Sequence, residues 1–214
     1  MEHDRISHKK FVKIRKQFFL THQESDFYFE AKNSPILISV PHAVKQTRLG
    51  KQKNEELGTI STGMILADRL NTSLIVKTRN NFDDANFDKE SRYKDKIKYL
   101  ISAVGVKYII DLHGLKKDRE CDINLGINFG ANIKNDIKLY DKILFGLQNS
   151  GFTTTIDNPY RAGERTISGY FATNYNIWTI QIEINSRITN DSKYISKLNN
   201  LLDILTTALK TIKI

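Results

Sequence analysis

Cysteine, proline and long apolar runs are scarce in this chain of 214 residues. The single cysteine, Cys121, excludes an internal disulfide and a zinc site built from several cysteines, so we expect a cytoplasmic protein. No apolar run approaches the roughly 20 residues that a membrane helix needs. The polar, basic first residues also lack the apolar core of a signal peptide. Because no linker or repeat divides the chain, we predict one domain over 1–214, with the first ~20 residues as a peripheral extension.

Acidic residues are also in the minority, since 33 lysines and arginines face 24 aspartates and glutamates, for a formal net charge of +9. Such a balance is compatible with nucleic acid or with an anionic substrate. The lysines are scattered, however, and no run of about five like charges occurs. This distribution favours a solvated surface over a nucleic-acid interface, and no membrane partner is expected.

Short apolar runs alternate with amphipathic stretches along the chain. Four runs rich in Ile and Val predict buried strands, with a weaker candidate at 27–31: 35–40, 72–77, 106–110 and 178–184. Four apolar stripes at helical spacing predict helices that begin near Leu57, Tyr93, Ile137 and Ile195. The first three strand runs are mostly continuous, as in strands covered on both faces. The alternation predicts an α/β three-layer sandwich, in which helices flank a mixed, largely parallel central sheet.

Histidines follow two of the predicted strands. His42 comes just after the first run and His113 just after the third, whereas the other histidines lie near the N-terminus. Because the carboxyl ends of parallel strands meet at one edge of a sheet, we expect these two side chains to lie close together. Two neutral imidazoles suit a metal ion, and a catalytic zinc takes about three protein ligands. Glu55 or Glu56, at the start of the next helix, would complete the set. The alternative is a pair of histidines that only form hydrogen bonds.

Two further carboxylates stand near these strand ends. Asp111 precedes His113 by two residues and therefore faces the same side of a strand. It is suited to orienting the imidazole of a metal ligand, or simply to capping the strand. Glu183 lies between two isoleucines, where burial would raise its pKa into the range of a general acid–base. A buried ion pair with Arg165 or Arg187 is the alternative for Glu183.

Two polar loops also lie between the predicted strands: 78–86 follows the second strand, and 157–166 lies between the third and the fourth. The second carries Arg161 and Arg165, and a guanidinium is the usual partner of a carboxylate. Both loops lie where a substrate would be held, although ordinary surface loops would have the same composition.

Several of these pieces occur in an order typical of one family. They are SVPH at 39–42, ELGT at 56–59, Arg79 with DAN at 84–86, DLHG at 111–114, NPY at 158–160 with Gly163, and QIEIN at 181–185. As an ordered set between residues 36 and 187, they resemble the N-formylglutamate amidohydrolases. That family is related in fold to zinc carboxypeptidases and to aspartoacylase-like deacylases.

The resemblance implies a phosphorylase/hydrolase-like fold and a zinc-dependent amidohydrolase. Such an enzyme cleaves the N-acyl, N-formyl-type amide of an amino acid or small peptide with a water that the metal activates. One zinc per chain would be held by His42, Glu56 and His113, and the match at 58–59 favours Glu56 over Glu55. Glu183 would act as the general base and then as the general acid.

The resemblance also implies a substrate that is a small carboxylate. The residues that would bind this carboxylate are Arg79, Asn86 and one of Arg161 and Arg165. The main alternative is a non-enzymatic basic α/β module that binds nucleic acid or a protein, with steeply salt-dependent affinity and no stoichiometric metal. Narrower alternatives keep the metal. They are a non-haem iron site, which also uses two histidines and a carboxylate, and a deacylase of charged tRNA.

Overall fold

The computed structural model describes residues 5–22 and 25–212. Within these ranges the strands are β1 (Phe27–Glu30), β2 (Ile36–Val40), β3 (Gln46–Arg48), β4 (Lys51–Lys53), β5 (Ser73–Lys77), β6 (Tyr108–Leu115), β7 (Ile123–Gly126), β8 (Thr154–Ile156) and β9 (Trp178–Asn185). The α-helices are α1 (His8–Thr21), α2 (Gly58–Leu70), α3 (Arg92–Val104), α4 (Ile137–Asn149), α5 (Ile167–Tyr175), α6 (Ser186–Asn190) and α7 (Ile195–Leu209).

A mixed sheet of seven strands forms the centre of the fold, in the order β1-β5-β2-β6-β9-β7-β8. Its middle strands β5, β2, β6 and β9 run parallel to one another. At the edges, β1 is antiparallel to β5, and β7 is antiparallel to β9 but parallel to β8. Strands β3 and β4 form a separate antiparallel hairpin. The predicted mixed, largely parallel sheet is therefore confirmed.

Helices cover both faces of this sheet, so the predicted three layers are also confirmed. Every residue of β2 is buried, and its side chains alternate between the two faces. Ile38 belongs to one apolar cluster, which includes buried residues of α1, α2, α4 and α7. Leu37 belongs to the opposite cluster, with buried residues of α3 and α5. This double burial explains why the strand reads as a continuous apolar run.

Some element boundaries differ from the sequence prediction. Strand β6 continues to Leu115, because it pairs with β9 over eight residues from Tyr108 to Leu115. His113 therefore lies within a strand rather than after one. The sequence did not predict the short strands β3, β4, β7 and β8 or the helices α1, α5 and α6. Helix α1 contacts α2 and buries Phe11 and Phe18.

Among the described residues, no helix is both long and apolar enough to span a membrane. The assignment of the chain to one domain stays a prediction. Of the N-terminal histidines, His3 lies outside the described residues, and His8 and His22 do not line the large cavity described below.

Candidate functional site

Two neighbouring parallel strands bring His42 and His113 together. Strand β2 ends at Val40, and His42 follows in the turn, whereas His113 lies near the carboxyl end of β6. Their imidazole centroids are 4.6 Å apart, with an interplanar angle of 81°. Both side chains are buried. The close approach expected from the strand ends is what the structure shows.

Glu56, just before α2, joins the two imidazoles. Its backbone N–H donates to the carbonyl oxygen of His42 at 2.8 Å, which anchors the chain beside that residue. Its carboxylate oxygens lie 2.9 Å from Nδ1 of His42 and 3.2 Å from Nδ1 of His113. The N–H of Gly114 also donates to this carboxylate at 2.8 Å. A Cβ at position 114 would come within 3.1 Å of the Glu56 Cβ, so the glycine permits the approach.

A second carboxylate contacts each imidazole on its other side. Nε2 of His42 lies 2.9 Å from Oδ1 of Asp84, which is fully buried and is also bound by the guanidinium of Arg48 at 2.7 Å. Nε2 of His113 lies 3.2 Å from Oδ2 of Asp111, as the two-residue spacing in a strand predicts. Asp111 is held in turn by the hydroxyl of Ser39, which donates at 2.9 Å.

This arrangement calls for positive charge between the rings and Glu56. Each imidazole has a carboxylate oxygen within 3.2 Å of both ring nitrogens, but a neutral imidazole donates from only one nitrogen. With Nε2–H donating to Asp84 and Asp111, both Nδ1 lone pairs face the Glu56 carboxylate. Either two extra protons or one metal cation removes that repulsion. The ligand atoms lie within 4.8 Å of one another, and the donor set of two nitrogens and one oxygen suits zinc.

The titration of these groups reflects the same electrostatics. Burial alone would lower the pKa of His42 and of His113, but the carboxylates on both sides outweigh burial and raise both values. Burial alone would raise the pKa of Glu56, but the two imidazoles lower it to about 2. Asp84 behaves in the same way, since His42 and Arg48 overcome its burial and lower its pKa. The two histidines, Glu56 and Asp84 therefore form an ionic cluster.

Glu183 lies beside this cluster on the neighbouring strand β9, where it is paired in register with His113. Its side chain is buried, and Nε2 of Gln181 donates to Oε1 at 2.8 Å. Burial raises the pKa of Glu183 to about 7, in the range predicted for a general base. The alternative ion pairs with Arg165 and Arg187 do not form: Arg187 binds Asp122 at 2.9 Å instead, and Arg165 forms no ion pair with a described residue.

A cavity of about 1400 Å³ adjoins the site, and His42, Glu56, His113 and Glu183 all line it. Its walls are formed by the β3–β4 hairpin and the start of α2, by the end of β6 and the residues that follow it (113–118), by the loop 159–166, and by β9 with the residues after it. Of the residues predicted to bind substrate, Asn86, Arg161 and Arg165 line the cavity. Arg79 does not: it is exposed beyond the end of β5. The geometry therefore gives no support to a substrate contact by Arg79.

Sequence reasoning missed three residues that the structure places at this site. Asp84 belonged to the matched DAN piece, yet no role was assigned to it. Gln181 belonged to the matched QIEIN piece in the same way. Arg48 lies on a short hairpin with no apolar periodicity, so no signal in the sequence identified it. Glu55, the alternative ligand, points elsewhere, and its Oε2 is buried without a hydrogen bond to a described residue.

Comparison with known proteins supports the fold. No protein-family model matches the chain, and no curated protein matches its sequence. A gene product from Agrobacterium tumefaciens matches with a TM-score of 0.68 and 16% identity, over 94% of this chain and 100% of that one. N-formylglutamate amidohydrolase from Ralstonia eutropha matches with a TM-score of 0.64 and 14% identity, over 87% of this chain and 98% of that one. A metallo-carboxypeptidase from Pseudomonas aeruginosa matches with a TM-score of 0.52 and 12% identity, over 97% of this chain and 70% of that one. At such identities the likeness shows the fold alone, and the fold implied by the family resemblance is confirmed.

Proposed function

We propose that the chain is a zinc-dependent amidohydrolase that removes the N-acyl group, of the N-formyl type, from an amino acid or small peptide. One observation carries the proposal: His42, Glu56 and His113 converge within 4.8 Å in a cavity that also contains the buried Glu183. Two solved structures of this fold, named as an N-formylglutamate amidohydrolase and a metallo-carboxypeptidase, support the reaction class.

The metal would be held by Nδ1 of His42, Nδ1 of His113 and the carboxylate of Glu56. When bound, zinc supplies a Lewis acid that lowers the pKa of water and polarises a carbonyl. Asp84 and Asp111 would accept from the Nε2–H groups, which would leave both Nδ1 lone pairs available to the ion. The N–H of Gly114 fixes the third ligand, because it donates to Glu56.

Glu183 moves the proton. As a carboxylate it accepts a proton from water while the water oxygen forms a bond to the amide carbon. The C–N bond of the resulting tetrahedral intermediate then breaks, and Glu183 returns the proton to the leaving nitrogen. The amide N–H of Gln181, 2.8 Å from Oε1 of Glu183, leaves Oε2 as the oxygen that exchanges the proton.

The substrate carboxylate would be bound at the arginine-bearing wall of the cavity. Arg161 and Arg165 both line it, with their guanidinium carbons 5.8 Å from the centroid of Phe129 and 5.0 Å from that of Phe87. Oδ1 of Asn86 accepts from the N–H of Ile167 at 2.7 Å, which leaves its Nδ2 as the group available to donate to substrate.

The proposal is tested by metal content and by activity. We expect about one zinc per chain in protein purified without added metal, measured by elemental mass spectrometry, and its loss in His113→Ala. Glu183→Gln should keep the metal but lose hydrolysis of N-formyl and N-acetyl amino acids by about 10²–10⁴-fold. Glu90→Gln, an exposed carboxylate away from the cavity, is the matched control and should retain full activity.

Retained activity in Glu183→Gln would remove Glu183 from the reaction. Iron in place of zinc would favour the non-haem iron alternative. A chain that binds no metal even when zinc is supplied would contradict the proposal and favour the basic binding module.

A further inference from the structure

The cavity is too large for the small substrate considered so far. It measures about 1400 Å³, whereas pockets for drug-sized ligands measure about 300–1,000 Å³. A single N-acyl amino acid would occupy only a minor part of it. The remaining volume extends between the β3–β4 hairpin, the residues after β6 and the loop 159–166, so a longer chain has room on several sides of the proposed reaction centre.

Cations surround this cavity on three separate segments. They are Lys53 on β4, Lys116 and Lys117 after β6, and Arg161 and Arg165 on the loop. All five are exposed, and none forms an ion pair with a carboxylate anywhere in 5–22 or 25–212. Five carboxylates also line the cavity: Glu56 and Glu183 belong to the proposed reaction centre, which leaves Glu55, Asp118 and Glu164 against the five cations.

Two of these cationic segments are fixed close to the reaction centre. The guanidinium of Arg165 lies over Phe87 at 5.0 Å, and Arg48 lies over the same ring at 4.7 Å. The backbone carbonyl of Arg165 also accepts from the buried Lys94 ammonium at 2.9 Å. Lys116 and Lys117 directly follow the end of β6, the strand that carries Gly114 and its contact with Glu56. Both segments line the cavity that contains His42, Glu56 and His113, so a ligand that contacts both lies in the same cavity as the proposed metal site.

We infer that the substrate is an extended acidic peptide with several carboxylates. Arg165 binds carboxylates on one side of the cavity, and Lys116 and Lys117 bind others on the other side. This inference rests on the proposed amide hydrolysis and specifies its substrate class. An acidic peptide brings the amide and the anionic groups in one molecule, whereas a nucleic acid brings only the anions. The charges do not distinguish α-linked from γ-linked glutamyl chains, which share this chemistry.

Binding of fluorescein-labelled hexaglutamate to the Glu183→Gln chain, followed by anisotropy, tests the inference without turnover. We expect α-linked or γ-linked hexaglutamate, or both, to bind, and a neutral Gly-Ser peptide of equal length not to bind. Lys116→Gln/Lys117→Gln should weaken binding about tenfold, since an exposed ion pair changes affinity about threefold. Lys134→Gln/Lys138→Gln removes the same charge at exposed positions outside the cavity and should leave affinity within about twofold.

Hydrolysis separates the inference from the proposed function. With the wild-type chain, kcat/KM should be higher for N-formyl hexaglutamate than for N-formylglutamate, and Lys116→Gln/Lys117→Gln should remove that advantage while activity on N-formylglutamate remains. Equal kcat/KM for both substrates would overturn the inference and leave the proposed function intact. Hexaglutamate that binds through the two lysines, while neither N-formyl hexaglutamate nor N-formylglutamate is deformylated, would contradict the proposed hydrolysis alone. Equal losses in the two double variants, or tighter binding of a single-stranded oligonucleotide of equal charge, would overturn the acidic-peptide assignment.

Discussion

A buried lysine joins the two segments that carry the candidate substrate-binding residues. Lys94 of α3 is fully buried, and its ammonium donates to the carbonyl oxygens of Asp88 and of Arg165. No carboxylate of the described chain forms an ion pair with it, although its Nζ lies 4.9 Å from the centroid of Tyr170. Burying an ammonium with only neutral acceptors costs free energy of folding. The protonation of Lys94 therefore reports whether the two segments exclude water from it in the folded chain.

The cost predicts a pH dependence of known sign. Burial lowers the pKa of Lys94 from its ordinary 10.5 to about 8. Between these values the unfolded chain holds the proton and the folded chain does not, so the free energy of unfolding rises with pH. The full contribution is roughly 3 kcal/mol, since each pKa unit corresponds to about 1.4 kcal/mol. About 2 kcal/mol of it should be gained between about pH 7.5 and about pH 10.

Urea unfolding of the wild type and of Lys94→Met measures this contribution. The difference in unfolding free energy, wild type minus variant, should increase by about 2 kcal/mol over that pH range, because other titrating groups cancel in the difference. Lys138→Met replaces an exposed lysine of α4 and should give a difference that does not change with pH. A flat difference for Lys94→Met as well would show that Lys94 is solvated in the native state, and the reasoning from its burial would be wrong.

Two further predictions concern the proposed metal site. Asp84→Asn removes the charge that orients His42, so zinc affinity measured by competition with a chelator should fall about 10–100-fold; unchanged affinity would show that Asp84 does not orient the ligand. Gly114→Ala places a Cβ within 3.1 Å of the Glu56 Cβ, so we expect lower zinc occupancy with little change in the Tm of the metal-free chain. Full occupancy in that variant would mean that Glu56 reaches the metal without the close approach at Gly114.

The central strands could be predicted from the sequence because they are buried on both faces. All residues of β2 and β5 are buried, and the chain shows this as continuous apolar runs. Strands β7 and β8 have four and three residues and no such run. Their place in the sheet depends on pairing with β9 and with each other, which is a tertiary effect that local propensity does not record. Helix α1 was missed because its many lysines and arginines obscured the buried Phe11 and Phe18.

The approach of His42 and His113 was predictable for a geometric reason. Parallel strands end at one edge of the sheet, and a histidine side chain is short, so the positions of two Cα atoms nearly determine where the imidazoles meet. Glu56 needed more than this rule, because Glu55 begins the same turn. What distinguishes them is the direction of the side chain: Glu56 lies against Gly114, and that contact comes from a residue far along the chain.

The arginines could not be placed by the same rule. An arginine side chain is long and has many rotamers, so the position of its Cα near a strand end does not determine where the guanidinium lies. The contacts of the guanidinium determine it instead. Arg48 reaches the site because it contacts Asp84 and the ring of Phe87. The guanidinium of Arg165 contacts the same ring. Arg79 follows β5 directly and yet lies outside the cavity. Residues whose function depends on such partners are identified only when the partners, here an aspartate and an aromatic ring on one loop, are seen in place.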